Sequence, residues 1–97
     1  MPRPRICRRI RFKPEITYFK PAGVRLRELK EVILNFDEYE AVRLVDLEEI
    51  DQGKASNQMK ISQPTLSRLL KSARKKISEA IIKGKAIRIE GGNYKFR

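Results

Sequence analysis

Between positions 51 and 82, apolar and small residues have the spacing of two helices that pack across a tight turn. Such a pair requires apolar side chains where the helices cross and a small residue at their closest approach. The residues at these positions are Ala55, Ser56, Met59, Ile61, Leu66 and Leu69. Further apolar positions recur every three or four residues as far as Ile81. The pattern predicts a helix-turn-helix with a long, amphipathic second helix.

Residues that favour helix ends stand at the starts of both predicted helices and at the end of the second. Asp51 and Ser62 are N-cap residues, whose side chains accept hydrogen bonds from first-turn N–H groups. Pro64 is tolerated in a first turn because its missing N–H would have no partner there. Gly84 is suited to a helix end. The second helix is therefore predicted from about 63 to 82, a length of roughly 30 Å at about 1.5 Å per residue.

The flanking segments predict shorter elements. An apolar stripe over residues 38–48 indicates another helix, and Glu31–Leu34 is expected to be a short strand. Residues 86–90 and 93–97 alternate between apolar and polar positions on either side of a Gly-Gly pair, which predicts a C-terminal β-hairpin. The expected fold class is mainly α with short β elements, built on a helix-turn-helix core.

The first 20 residues differ in composition from the rest of the chain. Prolines at positions 2, 4 and 14 disfavour a long helix, and the segment is rich in arginine. We expect a partly flexible basic arm over residues 1–20, ahead of a single folded domain over residues 21–97. Arg3, Arg5 and Arg8 would enter a DNA minor groove. The alternative is a loosely packed extension with solvated arginines.

Charge is distributed in three blocks. The chain carries 23 Lys and Arg against 12 Asp and Glu, a formal charge of +11, which favours a polyanionic partner. Residues 1–30 sum to +8, residues 31–52 to −7 and residues 53–97 to +10. An acidic middle helix would be repelled by phosphates. We therefore expect the helix at 37–48 to face away from DNA, where it is a possible site for a protein partner.

Residue types exclude several classes of chemistry. Cys7 is the only cysteine and there is no histidine, so an intrachain disulfide and a Cys/His zinc site are excluded. No nucleophile and base are suggested, so we expect neither an enzyme nor a cofactor. The N-terminus lacks the apolar segment of a signal peptide, and the apolar runs are too short to span a membrane. The expected location is the cytoplasm.

The exposed face of the second helix supplies the candidate site. Its first turns would present side chains to base edges in a major groove, and its basic continuation would hold phosphates. The predicted DNA-binding residues of this face are Ser62, Gln63, Pro64, Thr65, Ser67, Arg68, Lys71, Arg74 and Lys75. The alternative is an ordinary amphipathic helix pair with a solvated basic face.

Three segments together resemble a known family: DEYEAVRL (37–44), QPTLSRLLKSARKKI (63–77) and RIEGG (88–92). The family consists of small, functionally uncharacterised bacterial and archaeal proteins whose helix-turn-helix is similar to the promoter-reading region of sigma factors. The resemblance covers nearly the whole chain and implies a DNA-binding protein, in which Ser62 to Arg68 would face DNA.

The chain departs from the family pattern at three places. Gly53 and Lys54 stand where an acidic pair is usual, and Lys60 stands where a turn glycine is common. A left-handed conformation is unfavourable for a residue other than glycine, so a less tight turn is an alternative at Lys60. Relatives often carry paired cysteines near the N-terminus, but Arg11 and Phe12 occupy that place here, so no metal site is expected.

These observations favour sequence-specific binding of double-stranded DNA, as in a transcriptional regulator. A homodimer would suit a two-fold operator, but nothing in the sequence locates its interface. The alternative is a basic protein that binds structured RNA or the ribosome. That alternative has weaker support, because no aromatic stacking platform for single strands is recognisable.

Overall fold

A computed structural model of the chain describes residues 17–91 with their side chains, and residues 8–10 and 94–96 by their backbone. The described residues form three α-helices and five short strands. In chain order the elements are β1 (Arg8–Ile10), β2 (Tyr18–Phe19), a 3-10 turn (Leu26–Glu28), β3 (Glu31–Leu34), α1 (Phe36–Val42), a π-helical turn (Arg43–Leu47), α2 (Gln52–Met59), α3 (Gln63–Lys83), β4 (Ala86–Ile89) and β5 (Tyr94–Phe96). The predicted class, mainly helical with short β elements, is confirmed.

The larger sheet has β4 as its central strand. β4 is antiparallel to β2 on one side and parallel to β3 on the other, where Ile89 lies opposite Leu34. These two side chains pack with Phe36 and Ala73 in a buried apolar cluster. The sheet therefore rests on the middle of α3, and the strand predicted at Glu31–Leu34 is confirmed.

The predicted C-terminal hairpin is wrong, because β4 and β5 belong to different sheets among the described strands. β5 pairs in parallel with β1, and Tyr94 lies opposite Arg8. After β4, Gly91 has a φ of +76°, and its carbonyl oxygen accepts a hydrogen bond of 2.9 Å from Phe36 N–H at the start of α1. Alternation predicts which face of a strand is buried, but it does not identify the neighbouring strand.

A second apolar cluster joins α1, the π-helical turn, α2 and α3. Its buried members are Ala41, Leu44, Ala55, Met59, Leu66 and Leu70. Ile61 and Leu69 pack at its edge, partly buried. The predicted small residue, Ser56, is also buried, and its hydroxyl donates to the Gly53 carbonyl oxygen at 2.9 Å. The contact positions predicted for the helix pair are thus confirmed.

The acidic middle segment differs from the expected outward-facing helix. The helix predicted at 38–48 is α1 followed by the π-helical turn, and Asp37, Glu38 and Glu40 within it are buried. Arg43 makes two hydrogen bonds to Glu40, from Nε at 2.7 Å and from Nη2 at 2.9 Å. The prediction summed charge by segment and so treated every acidic residue as solvent-exposed. Carboxylates can instead be buried when they are paired with a cation or a hydrogen-bond donor. The exposed acidic surface is therefore smaller than expected.

Exposed polar contacts join the three strands of the larger sheet. Arg88 of β4 makes two hydrogen bonds to Glu31 of β3, at 3.1 and 2.7 Å, and the Tyr18 hydroxyl of β2 donates to Glu31 at 2.6 Å. The hydrogen bonds from Arg88, together with that from Tyr18, lower the pKa of Glu31 to about 2. One carboxylate on the edge strand β3 thus accepts hydrogen bonds from both of the other strands, β2 and β4.

Candidate nucleic-acid interface

Helices α2 and α3 begin with hydrogen bonds that the two N-cap residues predict. Asp51 accepts a hydrogen bond of 3.0 Å from Lys54 N–H, and Ser62 accepts one of 3.2 Å from Thr65 N–H. Both helices therefore begin where the caps indicate. α3 runs from Gln63 to Lys83, one residue beyond the predicted end, and stops at Gly84 in the left-handed conformation.

Lys60, in the turn between α2 and α3, adopts the left-handed backbone conformation although it is not a glycine. Lys60 has φ 58° and ψ 46°, and Ile61 N–H donates to the Ser56 carbonyl oxygen at 3.0 Å. This is the hydrogen-bonding pattern of a Schellman helix end. The unfavourable backbone of Lys60 is held by the cluster beneath it, where Met59 is fully buried. The departure from glycine has not loosened the turn.

Replacing Lys60 with glycine should raise the free energy of unfolding by about 0.5–1 kcal/mol, because glycine adopts a positive φ without a Cβ clash. Urea unfolding of both proteins measures the difference. Lys54 provides a matched control, since the same replacement within α2 should lower stability by about 1 kcal/mol through lost helix propensity. A loss of stability in both variants would contradict a strained Lys60.

The predicted base-reading face is exposed on the described structure. Gln63, Pro64, Ser67, Arg68 and Lys71 are solvent-exposed along the first turns of α3. The opposite side of the same turns is buried, in the apolar cluster shared with α2. Rigid packing on one side and free side chains on the other is the arrangement that a recognition helix requires.

Several side chains of this face make contacts with neighbouring residues. The Ser62 hydroxyl donates to Thr65 Oγ1 at 2.9 Å, and Arg68 Nη2 lies 3.4 Å from the same oxygen. Gln63 Nε2 lies against the first turn of α2, 3.4 Å from the position that a Cβ at Gly53 would occupy. Gly53, where the family pattern has an acidic residue, thus leaves room for this amide.

The basic continuation of α3 is only partly available for phosphates. Arg74 makes two hydrogen bonds to Asp46 of the π-helical turn, at 3.1 and 2.6 Å, which lower the pKa of that carboxyl group. Lys76 is ion-paired with Glu38 at 2.7 Å. Lys75 is exposed, with no ion pair to a described carboxylate. The partner of Arg74 lies 28 positions earlier in the chain, where no local signal identifies it.

Net charge is nevertheless strongly positive over the helix-turn-helix. Residues 53–78 contain seven Lys or Arg and no Asp or Glu. Arg74 and Lys76 have carboxylate partners, whereas no described carboxylate pairs with the other five. These five are Lys54, Lys60, Arg68, Lys71 and Lys75. The same surface therefore combines exposed hydrogen-bonding side chains with five cations that form no salt bridge to a described carboxylate. The hydrogen bond from Lys85 lowers the pKa of Glu79, and the nearby charge of Lys75 contributes to the same shift.

The predicted arm residues are less fully defined. Arg3 and Arg5 lie outside the described residues, and Arg8 is the first residue of β1. The β1 backbone lies beside α1 and α2.

Within the described ranges no cluster of Cys, Asp or Glu is arranged to hold a metal ion. No helix in the same part of the chain has the length and apolar character needed to cross a membrane.

Sequence comparison groups the chain with proteins whose descriptions carry no activity. A family model described as "Protein of unknown function DUF134" matches residues 1–97. A UPF0251 protein of Moorella thermoacetica is 55% identical over 94 residues, which are 97% of this chain and 63% of that relative. Relatives of the same description in Thermoanaerobacter sp. (strain X514) and Caldanaerobacter subterraneus are 52% and 54% identical over 95 residues.

The lengths of these relatives differ from that of the chain. The chain spans 63% of the Moorella protein, 84% of the Thermoanaerobacter protein and 80% of the Caldanaerobacter protein, and 98% of the chain is aligned with each of the last two. No solved structure matches the chain.

Proposed function

The chain belongs to the family of proteins of unknown function DUF134, and for this member we propose sequence-specific binding of double-stranded DNA through α3, as a transcriptional regulator. The observation that carries the proposal is the exposed face of α3 between Ser62 and Lys71, on a helix whose other side is fixed in the core. A prokaryotic regulator of this kind would act in the cytoplasm, where the chromosome is.

The first turns of α3 would enter the major groove. That groove is about 12 Å wide and admits one α-helix, so the N-terminal turns of a recognition helix reach base edges. Gln63 is suited to adenine, since an amide can pair with both N6 and N7, and Arg68 is suited to guanine O6 and N7. Both side chains are exposed on the described structure, and Thr65 beside Arg68 limits where its guanidinium can lie.

Lysines of α3 would supply the part of the binding that does not depend on sequence. Lys71 and Lys75 are exposed and have no carboxylate partner among the described residues, so each can contact a phosphate. Phosphate contacts release condensed counterions and position a protein on the duplex without selecting a sequence. Alanine in place of a base-reading residue should therefore change the preference for one sequence, whereas alanine in place of a phosphate-binding lysine should lower the affinity for every duplex.

The test begins with a duplex selected from random DNA, followed by three alanine variants. Arg68→Ala and Gln63→Ala should weaken the selected duplex more than a random duplex, by about 1–3 kcal/mol per lost base contact. Lys75→Ala should weaken both duplexes alike and reduce the salt slope by about 1. Lys83→Ala is the matched control, since Lys83 is exposed at the far end of the same helix.

Three results would contradict the proposal. If all three alanine variants lost the same affinity for both duplexes, the assignment of Gln63 and Arg68 as base readers would be wrong. A clear preference for structured RNA over the selected duplex, in a competition at several salt concentrations, would favour RNA binding instead. Absence of duplex binding at low ionic strength would overturn both the site and the function.

A further inference from the structure

Several large apolar side chains are exposed at one edge of the described structure. Phe19 is 53% exposed, Leu47 76% and Ile81 71%. They belong to β2, the π-helical turn and the C-terminal half of α3, so they are distant in sequence. Exposed apolar surface that is continuous, rather than scattered, is characteristic of a binding surface.

Two grooves connect these side chains. The first, of about 280 Å³, lies between Leu47 and Phe19, and its walls are almost entirely apolar. The second, of about 300 Å³, lies between Phe19 and Ile81. Phe19 and Ile87 line both, so the two form one apolar strip that extends from Leu47 through Phe19 to Ile81. We call this surface the apolar strip.

The apolar strip has opposite charges at its two ends. Leu47 is followed in sequence by Glu48, which is ion-paired with Arg43 of the first groove, and by Glu49, which is exposed and supplies the negative charge of this end. At the other end Lys20 lines the second groove, and its Nζ donates to the Val24 carbonyl oxygen at 2.9 Å, with no carboxylate among its described contacts. One end is therefore acidic and the other basic.

We propose that the apolar strip is the interface of a homodimer, occupied by the same strip of a second copy. A two-fold axis near Phe19 places the acidic end of each copy on the basic end of the other. Apolar side chains then meet at the centre and charged side chains form the rim, as in homodimer interfaces. Self-complementarity of this kind selects a second copy over an unrelated partner.

The strip does not overlap the face assigned to DNA. Ile81 follows Lys71, the last residue of that face, by 10 residues in α3, which places it about 15 Å further along the helix axis at about 1.5 Å per residue. Its acidic end also disfavours contact with a phosphate backbone. The dimer is thus independent of the proposed function, and its test requires no DNA.

The first experiment measures association of the full chain by sedimentation velocity at concentrations of about 1–100 µM, over which a dimer dissociates by mass action. Leu47→Ser and Ile81→Ser should each raise the dissociation constant by at least about tenfold, because each substitution removes a large apolar contact twice in a two-fold interface. Leu26→Ser is the matched control: Leu26 is 64% exposed but lines neither groove, so its loss should leave association unchanged.

The second experiment tests the relative orientation of the copies. Lys20→Glu and Glu49→Lys should each weaken association, by about three- to tenfold, because each opposes two like charges. The two substitutions combined should restore it, since they exchange the charges at unchanged formal charge. Near-UV circular dichroism of every variant checks that the fold is retained.

Three results would overturn the proposal. One is a monomeric wild type over the whole concentration range. Another is an equal effect of Leu26→Ser and Ile81→Ser. The third is failure of the paired charge exchange to restore association, which would exclude the two-fold arrangement.

Discussion

Replacing Glu38 with alanine should lower the free energy of unfolding by about 3 kcal/mol, although Glu38 belongs to the most acidic part of the chain. Its carboxylate is buried and accepts hydrogen bonds from Asn35 N–H at 2.9 Å, from Lys76 Nζ at 2.7 Å and from the Ser72 hydroxyl. Alanine would leave all three donors without this acceptor. Unsatisfied buried donors and a half-buried ammonium group cost more than an ordinary hydrogen bond contributes.

Urea unfolding of Glu38→Ala and Glu48→Ala separates this role from a general effect of charge. Both variants lose one carboxylate, but the Glu48 side chain is 47% exposed and contacts Arg43 at the surface, so its loss should cost at most about 1 kcal/mol. The loss of stability in Glu38→Gln should lie between those of the two alanine variants, because glutamine keeps a hydrogen-bond acceptor and loses the charge. Equal losses for the two alanine variants would show that Glu38 does not link α1 to α3.

Reversing the charge of both Lys71 and Lys75 should lower affinity for duplex DNA by at least about a hundredfold. On the proposed function, each lysine contacts a phosphate, and a contact of this type contributes about 1.5–3 kcal/mol. Glutamate removes the contact and adds repulsion at the same place. The loss should be largest at low salt and should shrink as ionic strength screens the charges.

The control for this prediction carries the same change of formal charge elsewhere. Arg25→Glu with Arg27→Glu lowers the formal charge from +11 to +7, as Lys71→Glu with Lys75→Glu does, and both arginines are exposed between β2 and β3. Fluorescence anisotropy with a labelled duplex compares the two double variants. Similar losses would show that total charge, rather than the surface of α3, determines affinity.

Local signals in the sequence predicted the bounds of the helix pair α2 and α3 closely. Ser62 and Gly84 mark the two ends of α3 through side-chain and backbone chemistry that acts within a few residues, and the observed helix differs by one residue. The left-handed Lys60 was also predictable as an unusual position, since glycine is common there. The sequence did not predict whether the turn at Lys60 would keep the left-handed conformation, because this depends on how the surrounding residues pack on Met59.

Strand pairing could not be predicted from the same kind of signal. The alternation in β4 correctly indicated a strand, but its parallel neighbour β3 lies 55 positions earlier, with Glu31 opposite Ala86. Pairing over such a distance is decided by how the sheet packs on α3, through Leu34 and Ile89. A nearby Gly-Gly pair therefore favoured the wrong partner for β4.

Ion pairs between distant residues were missed for a related reason. Arg74 was assigned to the phosphate-binding continuation of α3, and Lys76 follows it on the same helix, yet both are ion-paired with carboxylates from the middle of the chain, Asp46 and Glu38. Neither pair has a sequence signature, since each joins residues that only the fold brings together. The free lysines, Lys71 and Lys75, could not be distinguished from these two by composition.

The carboxylates beneath α3 act as fixed counterions, and this changes how salt would govern release of a nucleic acid. Arg74 and Lys76 are already paired with carboxylates within the protein. A phosphate that takes over either cation leaves the carboxylate to attract a cation from solution, so the exchange releases no net counterion. The ionic strength at which a duplex dissociates would then be set by five cations of this surface rather than by the seven that the sequence contains between residues 53 and 78.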